Sequence, residues 1–377
     1  MRIDLLFPVL PPTLDGIGDH TARLSSALAA HADVRVLTAQ ADTETIPDVE
    51  VRRAFRLPPR RGVVEVIDAV RRDAPDWLFV QFNQFSYGRW GLNPFLPLAL
   101  WRLKRIVSEP QIAVMFHEDF VPITSWKNAV MTTWQRAQFW VLGALADQVF
   151  FSIEPWVRQY QSWWPGKPVY HLPVGSNIPF VKTERSEIRT ELGIDDDTFV
   201  MGVFGSLHAS RLVGHIRAAA EAVLRQTDDA LLLYIGPHGD AFSAEMYGLP
   251  VLNAGRLPAE EVSRHFQAMD VHLAPFIDGA STRRGSFLTG LQHGVCSVST
   301  SGPLTDEMLR DRQGDAFILP PVSDKPAFAN SVVSCLMNQV RRQGIAVAGQ
   351  RFYNRHLSFE RAAERVMNAL TTEREVV

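Results

Sequence analysis

Short apolar runs alternate with longer amphipathic segments along the first half of the chain. The runs predict strands at Ile3–Val9, Val34–Thr38, Trp77–Phe82, Ile112–Phe116 and Gln148–Ser152. The segments with a helical period of apolar residues predict helices at His20–Ala30, Gly62–Arg72, Pro94–Val107, Thr124–Ala146 and Glu154–Trp163. Strands that are apolar almost throughout and alternate with helices are typical of a parallel sheet covered on both faces.

The same alternation restarts in the second half. Strands are predicted at Phe199–Phe204, Ala230–Ile235, Val251–Asn253, Val271–Ala274, Cys296–Thr300 and Ala316–Leu319. Helices are predicted at Leu212–Arg225, Ala259–Met269, Ser286–His293 and Lys325–Gln343, and a last amphipathic helix at Ser358–Leu370. The pattern therefore predicts two successive doubly wound α/β domains.

A stretch rich in turn residues and charge, His171–Phe199, separates the two halves. We place an N-terminal domain at residues 1–178, a second domain at 179–355, and a C-terminal helix at 356–377 that packs back on the first domain. In open α/β sheets, ligands bind outside the carboxyl ends of the strands. With the two domains facing one central cleft, the loops that follow strands are where chemistry is expected.

Length and composition agree with this division. At roughly 150 residues per domain, 377 residues make about two domains. The hydrophobic fraction of 46% excludes a disordered chain, and the net charge of −3 argues against a dedicated nucleic-acid binder. Two cysteines cannot form a disulfide framework, so a cytoplasmic location is expected. The N-terminal apolar run, interrupted by Asp4 and prolines, is better explained as a buried strand than as a signal peptide.

The loop after the first strand contains two closely spaced glycines. Gly16 and Gly18 would let the backbone approach a ligand, and the helix that follows offers free N–H groups to an anion such as a diphosphate. As a nucleotide fingerprint the loop lacks a third glycine. The alternative is a tight strand–helix turn in which Asp19 caps the helix.

Several segments, in order along the chain, resemble the retaining glycosyltransferases of family 4, which have the GT-B fold. The first loop and helix resemble that family's G-I/V-G-x-H opening. Further resemblances are MFHE at 115–118, LPVGSNIPF at 172–180, GVFGSLHASRLVGHIRAAAEAV at 202–223, YIGPHGD at 234–240 and GRLPAEEVSRHFQAMDVHLAPF at 255–276. The last of these is the most specific.

The resemblance implies a GT-B architecture of two Rossmann-like domains and a function. The second domain would bind a nucleotide-diphosphate sugar, and the first would bind a glycan, lipid-linked or small-molecule acceptor. The anomeric configuration would be retained. No metal or other cofactor is expected, because helix N-termini and cationic side chains would carry the diphosphate charge.

The sequence departs from the family at the donor site. Of the two phosphate-binding cations, Ser206 replaces the arginine, while Arg211 is the nearest counterpart of the lysine. The family's two glutamates, which hold the transferred sugar and the ribose, are replaced by Ser281 and Thr289, and Asp278 is the acid nearby. We take Asp278, Ser281 and Thr289 as the candidate contacts of the donor sugar and ribose. Thr289 could still donate a hydrogen bond to a ribose.

The altered segment offers other cations. Arg283 and Arg284 precede Gly285 and Ser286, which open a predicted helix at the carboxyl edge of the sheet. Two guanidinium groups beside free helical N–H groups make an anion site. We expect one of the arginines to replace the missing cation; the alternative is that both only solvate a helix end.

In the first domain, His117 directly follows the predicted strand Ile112–Phe116. The corresponding family histidine contacts the sugar, so the resemblance implies that His117 orients the reaction rather than abstracting a proton. Glu118, Asp19 and His20 are the further acceptor-side candidates.

All nine tryptophans lie between Trp77 and Trp164. They either fill the core or form an amphiphilic face. The segment Asn93–Arg105 has the composition of an interfacial helix. A basic cluster occurs nearby in sequence, at Arg52, Arg53, Arg56, Arg60 and Arg61. Peripheral contact with the inner membrane face would suit both features.

Three functions remain open on the sequence. The first is glycosyl transfer. Loss of both family glutamates leaves a non-catalytic GT-B protein or a GT-B nucleotide-sugar epimerase as alternatives. A Rossmann oxidoreductase is less well supported, since a third glycine is missing.

Overall fold

A computed structural model describes residues 1–56, 62–106 and 110–372 of the chain. The chain divides into two compact units. Unit 1 comprises Met1–Val174 together with Phe359–Val377, and unit 2 comprises Gly175–Ser358. The predicted boundaries at 178 and 355 differ from these by a few residues.

Unit 1 is built on a parallel sheet of seven strands in its described part, in the order β3-β2-β1-β4-β5-β6-β7. The strands are β1 (Arg2–Leu6), β2 (Asp33–Thr38), β3 (Glu50–Arg53), β4 (Trp77–Phe82), β5 (Gln111–Phe116), β6 (Gln148–Phe151) and β7 (Val169–His171). The central strand β4 is buried along its whole length, as expected for a strand covered on both faces. The sequence pattern missed the edge strands β3 and β7, whose residues are mostly only half-buried.

The unit 1 helices are α1 (Gly16–Ala29), α2 (Gly62–Asp73), α3 (Phe95–Ile106), α4 (Trp126–Leu145), α5 (Glu154–Tyr160) and, from the end of the chain, α14 (Phe359–Thr372). Short 3-10 turns occur at Arg89–Gly91 and Gln161–Trp163. Helix α1 begins earlier than predicted, and its cap is Asp15 instead of Asp19. The Asp15 carboxylate accepts the N–H groups of Ile17 and Gly18.

Unit 2 contains a parallel sheet of five strands within the described residues, in the order β10-β9-β8-β11-β12. The strands are β8 (Phe199–Phe204), β9 (Ala230–Ile235), β10 (Val251–Gly255), β11 (Val271–Ala274) and β12 (Cys296–Ser299). The helices are α6 (Arg185–Glu191), α7 (Val213–Leu224), α8 (Gly239–Glu245), α9 (Ala259–Phe266), α10 (Gly285–Gln292), α11 (Glu307–Arg310), α12 (Lys325–Met337) and α13 (Gln339–His356).

Two sequence predictions in this unit were wrong. The strand predicted at Ala316–Leu319 makes isolated bridges, such as that between Ile318 and Val298, and no ladder among the described residues. The helix predicted at Lys325–Gln343 is interrupted at Asn338, which leaves helical geometry and caps α13 by accepting the Arg341 N–H. An apolar period cannot reveal such a break, because both helices present apolar residues to the same core.

Helix α14 packs on α1 and completes the unit 1 core. It contributes Phe359, Ala363, Val366 and Leu370 to a cluster that contains residues of β1, β2, β4, β5 and β6. The Gln148 side chain in β6 also donates to the Ala369 carbonyl at 2.6 Å. Of the helices that the structure describes, none has the length and apolar character needed to cross a membrane.

Candidate functional site

In each sheet, the order in which successive strands are added reverses at one point, and candidate residues cluster beside that point. The strand order reverses between β1 and β4 in unit 1 and between β8 and β11 in unit 2. Loops at the carboxyl side of such switch points form the ligand crevice of open α/β sheets. In unit 2, the loops after β8 and β11 carry Arg211, Asp278, Arg283 and Arg284.

Asp278 holds both arginines of the β11 loop. Arg284 Nη2 lies 2.6 and 2.7 Å from the two Asp278 carboxylate oxygens, and Arg283 Nη2 also bonds that carboxylate. Arg284 Nη1 reaches Ser210 Oγ in the β8 loop at 3.1 Å. The sequence predicted Asp278 as a contact of the sugar or ribose. In the structure its carboxylate is engaged by the two guanidinium groups.

Arg211 is the most buried of the three cations, with 7% of its surface exposed. Its guanidinium caps the end of β8: Nη2 donates to the Phe204 carbonyl at 2.6 Å and Nε to the Ser206 carbonyl at 3.2 Å. Nη1 has no hydrogen-bond partner within the described parts of the chain. Burial lowers the pKa of Arg211 to about 10, so the group is still charged at neutral pH.

The β8 and β11 loops are tied together around Phe276. Arg211 and Arg284 both lie over this ring, with guanidinium carbons 5.5 and 4.6 Å from its centroid. The backbone adds bonds from Leu212 N to the Pro275 carbonyl and from Ile277 N to the Ser210 carbonyl. We call Arg211, Arg283, Arg284 and Asp278 the arginine cluster. Three guanidinium groups against one carboxylate give it a formal charge of +2.

The backbone beside the cluster is shaped by glycine. Gly205, directly after β8, has φ of +105°, and a Cβ there would lie 3.1 Å from Arg211 Nη2. A Cβ on Gly236, after β9, would lie 2.4 Å from the Gly205 carbonyl oxygen. Ser286, in the first turn of α10, faces Gly205, and the helix has no side-chain cap among the described residues. Gly285 and Ser286 therefore lie beside the arginine cluster at the start of α10, and their predicted role in anion binding stays a prediction.

The two residues at the family's glutamate places are both in the interior. Ser281 is fully buried. Thr289 Oγ1 donates to the Gly285 carbonyl at 2.9 Å and accepts from Ser176 Oγ at 2.9 Å. The hydroxyl that was expected to reach a ribose is thus engaged within unit 2.

In unit 1, His20 and His117 form a buried edge-to-face pair with ring centroids 5.0 Å apart. His117 Nε2 donates to Gln81 Oε1 at 2.6 Å, and His20 Nδ1 donates to the Val174 carbonyl at 2.8 Å. Burial lowers the pKa of His20 to about 4 and holds that of His117 well below its usual range, the second imidazole adding to the effect. Both rings are therefore neutral at physiological pH.

Backbone N–H groups that follow β1 donate to a carboxylate of the same segment, that of Asp15. Asp15 Oδ1 accepts from Ile17 N at 2.9 Å and from Gly18 N at 2.8 Å, so these two amides are already engaged. A Cβ on Gly18 would lie 2.7 Å from the Val9 carbonyl oxygen, which explains a glycine there without a ligand. Gly16 supplies the first residue of the helix. The predicted role of Gly16 and Gly18 in diphosphate binding stays a prediction.

The acceptor-side candidates lie at the start of α1, which follows the loop after β1, and in the loop after β5. Asp19 is half-buried, and burial together with the neighbouring Asp15 carboxylate raises the pKa of Asp19 to about 6. Glu118 is exposed and accepts from Asn83 Nδ2 at 3.2 Å. The chain thus brings carboxyl groups and the histidine pair to one edge of the unit 1 sheet.

Sequence reasoning missed Gln81 and Gln84 at this edge. Gln81 holds His117, and the buried amide of Gln84 has no partner among the residues described. The signal for Gln81 was present: it is the polar residue in the otherwise apolar run Trp77–Phe82.

The other predicted features lie apart from this edge or outside the described residues. No group of three His, Cys, Asp or Glu side chains suited to a metal ion occurs in residues 1–56, 62–106 or 110–372. Of the basic cluster, Arg52 pairs with Glu50 and Asp73, whereas Arg60 and Arg61 lie outside the described residues.

No protein-family model matches the sequence, and no curated protein matches it significantly. Solved structures do match over nearly the whole chain. Sucrose-phosphate synthase from Thermosynechococcus elongatus has a TM-score of 0.74 at 15% identity, covering 100% of both chains. HepE of Anabaena, in complex with UDP and glucose, has a TM-score of 0.70 at 14% identity, covering 99% of this chain and 100% of HepE.

Two further neighbours widen the comparison. WaaG, a glycosyltransferase involved in lipopolysaccharide biosynthesis, has a TM-score of 0.67 at 15% identity, with 99% of this chain and 100% of WaaG covered. A protein described as a UDP-N-acetylglucosamine 2-epimerase from Listeria monocytogenes has a TM-score of 0.64 at 13% identity, with coverage of 100% and 97%. At these identities the comparisons establish the fold: the chain consists of the two Rossmann-like units of the GT-B class.

Proposed function

We propose that this chain is a glycosyltransferase that uses a nucleotide-diphosphate sugar, with unit 2 binding the donor. The observation that carries the proposal is the arginine cluster at the switch point of the unit 2 sheet. Its charge of +2 is opposite to that of a diphosphate, and guanidinium groups bind phosphate oxygens in pairs. Sucrose-phosphate synthase and WaaG share the fold, and HepE was solved with UDP and UDP-glucose.

Within the cluster, the three arginines would have different roles. Arg211 is fixed by backbone carbonyls and would offer Nη1 to a phosphate oxygen. Arg284 and Arg283 are held by Asp278 and would exchange part of that contact for the diphosphate. The N–H group and hydroxyl of Ser286 would complete the anion site, and the Gly285 N–H would exchange its 3.2 Å bond to the Arg283 carbonyl for a phosphate oxygen. These side chains would carry the leaving-group charge without a metal ion.

Unit 1 would bind the acceptor, with His117 as its central group. An imidazole whose pKa is well below its usual range is a weak base, so His117 would orient a substrate hydroxyl. Gln81 fixes the ring and its tautomer. We further propose a retaining reaction as in family 4, in which the leaving phosphate accepts the acceptor proton. Asp19, His20 and Glu118 would shape the acceptor site for a glycan, lipid-linked or small-molecule hydroxyl in the cytoplasm.

Two other functions are each favoured by a specific observation. The buried Ser281 and Thr289 at the glutamate places favour a non-catalytic donor-binding protein. The structural similarity to the Listeria protein described as an epimerase favours epimerisation of a nucleotide sugar.

The test combines donor binding with turnover. Wild type and His117→Asn would be titrated calorimetrically with nucleoside diphosphates and then incubated with a panel of nucleotide sugars and acceptor extracts. Transfer by the wild type, lost in His117→Asn with donor affinity unchanged, supports the proposal. Binding without turnover of any donor supports the non-catalytic alternative, and an epimeric nucleotide sugar seen by NMR supports the epimerase. Absence of nucleoside-diphosphate binding would overturn all three.

A further inference from the structure

Helix α4 in unit 1 buries two glutamines beside Phe139 and Leu142, and it exposes several large apolar side chains. Gln135 and Gln138 are buried, whereas Trp126, Val130 and Trp140 are 74%, 49% and 51% exposed. Together with Thr133, Ala137 and Ala144, these exposed residues recur at the spacing of one helical face. A helix surface that faces water normally carries charged and polar residues, so this stripe is not explained by solvation.

The buried glutamines bond the loop that carries a third exposed tryptophan, Trp90. Gln135 Nε2 donates to the Trp90 carbonyl at 3.3 Å, and Gln138 Nε2 donates to the Gly91 carbonyl at 2.6 Å. Trp90 itself is in the left-handed region, with φ of +58°, and is 63% exposed. A large aromatic residue rarely adopts this conformation, and here the loop fixes it with its ring in solvent.

Helix α3 contacts α4 in the same layer and continues the surface. Trp101 is 41% exposed, and the Arg105 guanidinium lies 4.1 Å from its ring centroid. We call Trp90, Trp101, Trp126, Val130 and Trp140 the aromatic face. Aromatic rings of this kind, apolar with one polar N–H, are enriched where a protein meets the membrane–water interface.

The charged residues of α3 and α4 are all of one sign. Neither α3 nor α4 contains an acidic residue. Their charged residues are Arg102, Lys104, Arg105, Lys127 and Arg136. Lys104 forms an ion pair with Asp147, which lies beyond the end of α4. The neighbouring helix α2 contains both acidic and basic residues, so the cationic surface is limited to α3 and α4.

We infer that the aromatic face is a membrane-docking surface that binds bilayers containing anionic lipids. The charge pattern decides between possible occupants. Pairing of two copies through this face would bring the same cations of each chain together, because a two-fold interface uses one patch twice. An anionic lipid surface instead attracts each cation, while the tryptophans enter the headgroup region. The inference does not depend on the proposed donor chemistry.

The test is flotation of the full chain with vesicles of phosphatidylcholine containing 30 mol% phosphatidylglycerol, an anionic lipid. Pure phosphatidylcholine vesicles and high salt are the comparisons. The double variant Trp126→Gln/Trp140→Gln tests how much the tryptophans contribute to vesicle binding. The double variant Arg102→Gln/Lys127→Gln tests how much the cations contribute. Tyr247→Gln and Arg225→Gln, at exposed positions of unit 2, are the matched controls.

We expect binding to anionic vesicles that salt weakens. The charge variant should lose about fivefold in partitioning per cation removed. The tryptophan variant should lose binding at both salt concentrations, and the two controls should behave as wild type. Because Trp126 and Trp140 are exposed, circular dichroism should show all variants folded.

Three outcomes would overturn the inference. The first is a wild type that does not float with anionic vesicles at low salt. The second is a tryptophan variant that floats as well as the wild type. The third is light scattering that shows a wild-type dimer converted to a monomer by Trp126→Gln/Trp140→Gln without vesicle binding, which would assign the face to self-association.

Discussion

Removing one arginine from the arginine cluster should weaken nucleoside-diphosphate binding by a calculable amount. Arg284→Met keeps an unbranched side chain over Phe276 and deletes the guanidinium that bonds Asp278 and Ser210. The formal charge of the cluster then falls from +2 to +1. Asp278→Asn changes it in the opposite direction, to +3, with nearly the same shape.

The magnitude follows from Coulomb's law. Two unit charges about 5 Å apart, at an effective dielectric constant of about 20, interact by about 3 kcal/mol. Arg284 and Asp278 are largely but not fully buried, so salt screens part of this energy. A loss of roughly 1.5–3 kcal/mol for Arg284→Met corresponds to about 10- to 150-fold weaker binding. Asp278→Asn should strengthen binding by a comparable factor.

The assay is calorimetric titration with a free nucleoside diphosphate, so that contacts to the sugar do not enter. The double variant Arg284→Met/Asp278→Asn, with charge +2, should return close to wild-type affinity. High salt should reduce the differences among the dissociation constants of the wild type, the two single variants and the double variant. An unchanged affinity in Arg284→Met would refute the assignment of the cluster to the diphosphate. Weaker binding in Asp278→Asn would refute the charge argument and assign Asp278 an orienting role.

Three further predictions concern stability. Gly143→Ala places a Cβ 2.1 Å from the Trp164 ring and should lower the free energy of unfolding by about 1–3 kcal/mol, measured by urea denaturation. Gly344→Ala, in α13, meets no atom of the described residues within 4 Å and should raise it by up to ~1 kcal/mol. Burial lowers the pKa of His272 to about 3, and neither ring nitrogen has a partner in the described parts of the chain. His272→Leu should therefore gain stability over wild type as pH falls below about 6.5, by roughly 1.4 kcal/mol per pH unit.

The sign of the pH effect follows from proton uptake. When the native pKa of a histidine is lowered, the unfolded chain binds the proton first, so the wild type loses stability as pH falls from about 6.5 toward 3. A stability difference between His272→Leu and wild type that is constant from pH 8 to 4.5 would contradict this account. For the glycines, equal effects of the two alanine substitutions would show that the Trp164 contact is not what restricts Gly143.

The strands of both sheet interiors could be predicted from the sequence because they are buried on both faces. Trp77–Phe82, Phe199–Phe204, Ala230–Ile235 and Val271–Ala274 are confirmed to the residue. The edge strands of unit 1 escaped prediction because their residues are only half-buried or exposed, so the pattern of Glu50–Arg53 is polar, whereas the unit 2 edge strands were predicted at Val251–Asn253 and Cys296–Thr300. Strand pairing, which depends on distant residues, is also invisible in a local pattern.

The candidate site was predictable to the level of loops but not of contacts. The chain alone places Arg211, Arg283 and Arg284 after neighbouring strands. It does not show that Asp278 binds both of the adjacent arginines, because this depends on side-chain directions within one turn. The cap at Asp15 was missed for a related reason: two acidic residues flank the glycines, and only the backbone geometry decides which one bonds the amides.

The discontinuity of unit 1 has a consequence for synthesis of the protein. Unit 2 is one continuous segment, so it can fold as soon as Ser358 has left the ribosome. Unit 1 must wait for α14, although its strands are made first. Until then, the nascent chain exposes the apolar sheet surface that Phe359, Val366 and Leu370 later cover. Completion of unit 1 thus follows that of unit 2, although the strands of unit 1 are translated first.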